Sequence, residues 1–287
     1  MLKLNQAASC SAATTTIQNA GDASALSGCS TFSGSIAIAT GTTDSIALDG
    51  IQKIQGSLIA NNVTGMSSLS ASTLQTITDT FSLQDMTILT NLNFPVLTNV
   101  ETIDWNALAA LSGLSFTNGV QTASTVMIQD TQLQSLSGIN LQVVDTMFIT
   151  NNNYLNNINM QLGNVSTSLT IEANGRNVTA NFPNMMWAYN ITMRNITSVS
   201  MPSLGSVNGS LGFYSNEFAS LSTPNLTRVG GSLSFVSNTD LSSIDMPSLT
   251  TIGGGFQIAN NTDLSSVEFD KLKSIGGALD YSGNFTK

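Results

Sequence analysis

The sequence predicts an all-β fold, a right-handed parallel β-helix or leucine-rich-repeat-like solenoid of about eleven coils of about 23 residues each. Three observations predict it: a pair of apolar residues three apart that returns along the chain, a short alternating strand after each pair, and asparagine or glycine at the corners. Two neighbouring stretches are nearly duplicates: VGGSLSFVSNTDLSSIDMPSL, from Val229 to Leu249, and IGGGFQIANNTDLSSVEFDKL, which starts at Ile252.

The apolar pair is the first element. It stands at Ile51–Ile54, Leu74–Ile77, Leu97–Val100, Val120–Ala123, Leu141–Val144 and Leu162–Val165. It continues, after a weaker copy near Met185, at Leu204–Val207, Leu226–Val229, Leu249–Ile252 and Leu272–Ile275. A period of about 23 residues holds two or three short strands and their corners, with little room for a helix. Each coil has only its neighbours to bury it, so the repetition lets every turn cover the one before.

The strand is the second element. LTIEAN from Leu169, LGFYSN from Leu211, LSFVSN from Leu233, FQIANN from Phe256 and LDYSGN from Leu279 share apolar first and third residues and a sixth-place Asn. Alternation turns the first and third residues inward. The middle residues then face outward: Ile59, Ser82, Asp104, Met127, Phe148, Thr170, Thr192, Gly212, Ser234, Gln257 and Asp280. Met127 and Phe148 are apolar exceptions in this mostly small or polar series. They are candidates for protein contact; the alternatives are ordinary exposed apolar residues or a shifted register.

Corners are the third element. Asn152, Asn174, Asn216, Asn238, Asn261 and Asn284 should stack as a ladder whose buried amides bond the backbone of adjacent coils. Gly230-Gly231 is expected to allow a tight corner at positive φ. Pro202 and Pro247 suit a strand start or a corner.

Composition bounds the chemistry. Of 287 residues 41% are hydrophobic, which is ample for a core, while charged residues make only 9%. Ser, Thr and Asn fill the difference, as they do in extracellular proteins. The formal charge of −9 is scattered singly and no basic patch exists, which argues against nucleic acid. Histidine is absent, which removes His-based metal sites, Ser-His-Asp or Cys-His catalysis and the commonest general base. No cofactor is indicated. No stretch nears the roughly 18 apolar residues of a membrane span.

Cys10 and Cys29 cannot make a structural zinc site by themselves. They read better as one disulfide, with free buried thiols as the alternative. The expected organisation is a leader remnant over residues 1–9, a disulfide-closed N-terminal cap over 10–45, and the solenoid over 46–287. The last strand stops close to Lys287, and a further C-terminal cap is expected beyond it. MLKLNQAASC is too short for a signal peptide, so a secreted parent would have lost its leader.

Asn-x-Ser/Thr sequons occur at Asn62, Asn164, Asn177, Asn190, Asn195, Asn208, Asn225, Asn260 and Asn284. Composition alone would produce several of these. None lies between Gly65 and Gly163, so that flank is open to a partner unless the distribution is chance. Alternation points Asn190 outward, gives Asn195 and Asn260 no clear direction, and places Asn284 inward.

Longer runs are more specific than the marker. SGCSTFSGSIAI at Ser27, MTILTNLNFPVL at Met86, NNNYLNNI at Asn151, WAYNITMRNITSVSMPSLGSVNGSLGFYSN at Trp187, TTIGGGFQIANNTDL at Thr250 and IGGALDYSGNF at Ile275 carry a resemblance from Cys10 to Phe285. Through them the chain resembles the fungal GPI-anchored cell-wall organisation proteins of the extracellular-mutant and sporulation-specific family. Their repeats look like the receptor L-domain. The resemblance implies a secreted, N-glycosylated protein of the wall or outer plasma membrane, needed for wall integrity. It matches Cys10 and Cys29 to the family's N-terminal pair and supplies no catalytic residues. Family members also carry a leader, a cysteine-bearing C-terminal coil, a Ser/Thr-rich stalk and a GPI signal. None of these is in this sequence, so membrane attachment is expected only through an anchor in a longer parent.

The expected function is a non-enzymatic scaffold facing wall polysaccharide, mannoprotein or another surface protein. A glucan-binding module is the alternative, with Tyr154, Tyr189 and Tyr214 as exposed aromatics and Trp105 and Trp187 in the core. A β-helix polysaccharide-cleaving enzyme is the third reading; it would need clustered carboxylates, whereas Asp104, Asp130 and Asp280 fall coils apart.

Overall fold

In a computed structural model the chain is all-β, with 46% strand and 2% helix, and its parallel strands form about 12 solenoid turns of about 22 residues. The structure describes residues 9–267 and 269–283. The expected leader remnant apart from Ser9, and Asn284, lie outside them. Contacts divide the chain into two compact units, residues 1–133 with 137–139 and residues 134–136 with 140–287.

The first unit opens with strand Ser11–Ile17, paired in parallel with Thr31–Ile38. Helix Ala20–Ala25 joins them. It starts where it does because extended Asn19 caps it, the side-chain oxygen accepting the Asp22 N–H at 3.1 Å. Cys10 and Cys29 are disulfide-bonded, with Cα atoms 5.5 Å apart. Lys53–Gln55 and Leu58–Asn61 stack on Thr31–Ile38, so stacking begins ahead of the first apolar pair in the sequence. Thr76–Gln84, Asn99–Leu108 and Thr125–Thr131 follow, placing Ile59, Ser82, Asp104 and Met127 in one column. A second, narrower sheet stacks Ile46–Ala47, Ser68–Ser70 and Asn91–Asn93. Between the sheets Phe81, Phe94, Trp105 and Phe116 meet edge-on or tilted, with ring centroids 5.0 to 6.0 Å apart. Such pairs add about 0.5–1.5 kcal/mol each beyond burial.

In the second unit the long strands Val143–Thr150, Asn164–Glu172 and Trp187–Arg194 are followed by four-residue strands from Leu211, Leu233, Phe256 and Leu279. Phe148, Thr170, Thr192, Gly212, Ser234, Gln257 and Asp280 share one register, as alternation requires. Met147, Leu169, Leu211 and Leu233 are fully buried on the inner side. Leu279 keeps the register but is 60% exposed, with no described turn stacked beyond it. Near the weak marker copy, Met185 and Ala188 take the places of leucine and valine, and both are fully buried.

The asparagine ladder forms in this unit. The side-chain amide of Asn216 donates to Asn238 Oδ1 at 2.8 Å, and that of Asn238 to Asn261 Oδ1 at 3.0 Å. The same oxygens accept the backbone N–H groups of Asn216 and Asn238 at 3.0 and 2.9 Å. The second amide proton of each residue reaches a carbonyl of the preceding turn: Asn216 to Met193, Asn238 to Phe213 and Asn261 to Phe235. Asn152 and Asn174 form a second short run, bonded at 3.0 Å. Between the runs Ile196 occupies the column, and its N–H donates to Asn216 Oδ1.

Positive φ does not fall on the Gly-Gly pairs as the sequence suggested. Apart from the single glycines Gly34, Gly50, Gly119 and Gly138, it falls on the residue before each described ladder position and on the equivalent corner of the first unit. In the first unit these residues are Asn62, Asp85, Ala107 and Asp130; in the second they are Asn151, Ala173, Asn195, Ser215, Ser237 and Asn260, all with φ between 52° and 58°. Left-handed backbone at alanine costs about 1 kcal/mol or more, so the stacked turns must hold it. The glycine pairs serve close approach. A Cβ at Gly230 would sit 2.1 Å from the Asn208 carbonyl oxygen, and one at Gly253 would sit 2.1 Å from that of Gly230.

Candidate functional site

The surface is organised by the same columns as the core. Its carboxylates act one turn apart as acceptors. Asp49 accepts the Ser72 hydroxyl at 2.6 Å and the Ser72 N–H at 3.0 Å. The Ser72 hydroxyl first, then its N–H, hold the Asp49 carboxyl below the usual carboxylate range, with burial opposing. Asp79 accepts from Ser57 at 3.1 Å, Asp104 from Gln84 at 2.9 Å, Asp245 from Ser222 at 2.7 Å and Asp280 from Gln257 at 3.0 Å. Asp145 accepts from Ser166 in the same way. Among the described residues no group of three or more His, Cys, Asp or Glu could hold a metal ion. This arrangement ties turns together and spreads negative charge along the stack.

One column of the second unit carries a charged chain. Arg194 Nε lies 3.2 Å from Glu172 Oε2, and its guanidinium carbon lies 4.3 Å from the centre of the Tyr214 ring. Gly212 makes room for that ring, since a Cβ there would come 2.4 Å from Tyr214 Cε2. Tyr214 thus faces outward as alternation suggested, engaged by Arg194. Glu172 and Arg194 each precede a left-handed corner residue, so reading that column in the sequence would have found the set.

The sequon asparagines fall into distinct settings. Asn62, Asn195 and Asn260 are exposed at the left-handed corner, and Asn177, Asn208 and Asn225 are exposed elsewhere. Asn190 is half-buried, and its oxygen accepts the Ser210 N–H at 2.8 Å. Asn164 is half-buried with its Oδ1 buried and unpartnered. It lines an open groove of about 670 Å³ together with Gln142, Val143, Gln161, Asn184 and Met186. Val143 and Met186 are 51% and 58% exposed. Asn184 donates to Gln161 Oε1 at 2.7 Å. This groove was not visible in the sequence, because its residues are contributed by turns about twenty residues apart.

The aromatic expectations divide. Trp105 is fully buried. Trp187 is half-buried on the outward side, paired with Asn164, because Ala188 takes the inward place. Tyr154 and Tyr189 are 58% and 48% exposed. Met127 and Phe148 are each half-buried on the outward column of their own unit.

Against known proteins the chain is 41% identical over 208 residues to protein ecm33 of Aspergillus fumigatus, covering 72% of this chain and 52% of that protein. It is 42% identical over 204 residues to a cell surface GPI-anchored protein of Arthroderma benhamiae, covering 71% and 52%. It is 38% identical over 193 residues to cell wall mannoprotein PST1 of Saccharomyces cerevisiae, covering 67% and 43%. The chain spans about half the length of the curated relatives it matches. No family model matches it, and no solved structure does. With a β-solenoid whose core, corners and Cys10–Cys29 bond have just been described, the chain belongs to the fungal family of cell-wall and cell-surface proteins that includes Ecm33, PST1 and the sporulation-specific proteins.

Proposed function

We propose that this chain is the rigid, glycan-bearing part of a non-enzymatic scaffold at the fungal cell surface, acting in wall organisation. It presents sheet faces to wall polysaccharide, mannoprotein or another surface protein. The observation that supports this most is the placing of Asn62, Asn195 and Asn260 at one repeated, exposed corner, outside cores filled with buried apolar side chains. A sugar at that corner projects outward at each occurrence, and the stacked turns fix its direction. The surface carboxylates fit the same reading. Those at Asp49, Asp79, Asp104 and Asp245 are engaged in hydrogen bonds between successive turns.

Complementation tests this. A fungal strain lacking its own relative should regain resistance to a wall-perturbing dye when given the full-length protein. The single changes Asp79→Asn, Asp104→Asn and Asp245→Asn should retain that rescue. Loss of rescue by any one of them, with secretion and folding intact, together with release of reducing ends from wall glucan by the wild-type protein, would establish an enzyme instead.

A second reading is favoured by one observation, the outward placement of Trp187 with exposed Tyr189 two residues on. Aromatic faces of this kind stack on sugar rings. Sedimentation with insoluble β-glucan, before and after deglycosylation and with Trp187→Ala, distinguishes direct glucan binding from protein-mediated wall association.

A further inference from the structure

The groove beside Asn164 is lined by amides and two exposed apolar side chains, and one of its walls is itself a sequon asparagine. We infer that this groove is the seat of the chain's own N-glycan, attached at Asn164, with the first N-acetylglucosamine units lying against Gln142, Gln161, Asn184, Val143 and Met186. The inference rests on the reading of the chain as a secreted glycoprotein and names where one of its glycans packs.

Four features support it. First, Asn164-Val-Ser166 is a complete acceptor sequence, and only Oδ1 of the Asn164 amide is buried without a partner. Its Nδ2, the atom that would carry the sugar, makes no hydrogen bond among the described residues, whereas the amide nitrogens of Asn190, Asn195 and Asn225 are engaged with carbonyls. Second, the lining named above is uncharged. The Asn184–Gln161 bond leaves one amide oxygen and one amide NH₂ group free of side-chain partners, a donor–acceptor set suited to acetamido and hydroxyl groups. Third, Val143 and Met186 are among the few large apolar side chains left exposed. An acetamido methyl and the apolar face of a pyranose ring would cover them. Fourth, Val143, Asn164 and Trp187 are register partners on successive strands, so a sugar leaving Asn164 is flanked by a half-buried indole. Transfer of the glycan precedes folding in the secretory pathway, so partial burial of Asn164 in the native state does not prevent it. The volume of about 670 Å³ is within the roughly 300–1,000 Å³ typical of small-molecule sites.

The test is timed digestion of the native, secreted full-length glycoprotein with an endo-β-N-acetylglucosaminidase, followed by site-resolved glycopeptide mass spectrometry. Asn164 should carry a glycan, and its cleavage should be about tenfold slower than at exposed Asn208, as expected for a site that must open first. The difference should vanish in denaturant. The pair Gln161→Ala with Asn184→Ala, which removes lining amides and leaves the sequon, should bring the Asn164 rate close to that of Asn208. An unmodified Asn164, cleavage at the Asn208 rate in the native protein, or no acceleration in the paired variant overturns the inference. Binding of a soluble β-glucan oligosaccharide by the groove with Asn164 unmodified would also overturn it. Absence of glycan at every site would instead remove the glycoprotein reading itself.

Discussion

The two units meet the same left-handed corner with different residues behind it. In the first unit the column after the corner is Val63, Met86 and Leu108, all fully buried, and then Thr131, buried and polar, whose hydroxyl oxygen accepts the Leu133 N–H two residues on. In the second it is Asn152, Asn174, Asn216, Asn238 and Asn261, with Ile196 as the one apolar member. The corner backbone is the same in both, φ near 55°, so the ladder does not create it. The first unit uses burial, which is non-directional and tolerant of small displacements. The second uses directional bonds that fit one register only, since the amide oxygens of Asn174, Asn238 and Asn261 each accept both an N–H and an amide proton from a neighbouring turn. The difference teaches that the solenoid is held by columns, and that a column can be apolar or polar provided every member finds its equivalent one turn away.

The largest effects should come from breaking a column. Asn238→Ala removes an acceptor for two Asn216 groups and a donor to Phe213 and Asn261. With each stranded buried group costing about 1–3 kcal/mol, the variant should lose about 4 kcal/mol by denaturant titration. Met86→Ala, the matching cut in the first unit, should cost about 3 kcal/mol through lost burial and the cavity it leaves, with no hydrogen bond broken. The sharper contrast is in reach: hydrogen exchange should rise in the turns on both sides of Asn238, but mainly around the cavity at Met86. A cost below about 1 kcal/mol for Asn238→Ala would mean that the ladder does not hold the register.

An intermediate effect is expected where backbones touch. Gly253→Ala places a methyl against the Gly230 carbonyl and should cost about 1–3 kcal/mol, as overpacking does. Gly113→Ala, with nothing within 4 Å of the added carbon, should change stability by less than about 0.5 kcal/mol. Equal melting temperatures for the two would contradict the close-approach account of the glycine pairs.

The inward positions of this architecture were legible in the sequence. The paired apolar residues predicted burial for Ile51, Leu74, Leu162 and Leu249, and every middle strand residue falls in the column that alternation assigned. The ladder was legible because asparagine recurs at one phase. The left-handed column was not, because its members are Asn, Asp, Ala and Ser, with no shared chemistry to mark it. Helix Ala20–Ala25 was missed although Asn19 with Asp22 is a capping signal, since a single short helix has no period to reveal it. The groove at Asn164 was hidden for a related reason. Its lining comes from turns of unequal length, so Gln142, Gln161 and Asn184 do not keep the spacing of the marker.

The smallest effect concerns charge. The Asp49 carboxyl is held below its ordinary range in the folded state, so its contribution is present above the unfolded carboxylate value and is lost as pH falls through the folded one. Ser72→Ala should therefore destabilise the first unit near neutral pH by a few tenths of a kcal/mol, because Asp49 is exposed and screened. The difference from wild type should disappear on acidification. A difference that grows toward acid would reverse the sign and refute the assignment.

The central claim is that columns of side chains bonded from turn to turn hold this solenoid in register. Residue-resolved hydrogen exchange of the native chain tests it most directly, at the N–H groups of Ile196, Asn216 and Asn238, whose acceptors are side-chain oxygens one turn away. The account predicts protection comparable to that of strand residues Leu233 and Phe235. Exchange at those three positions as fast as at exposed Asp240 would contradict it.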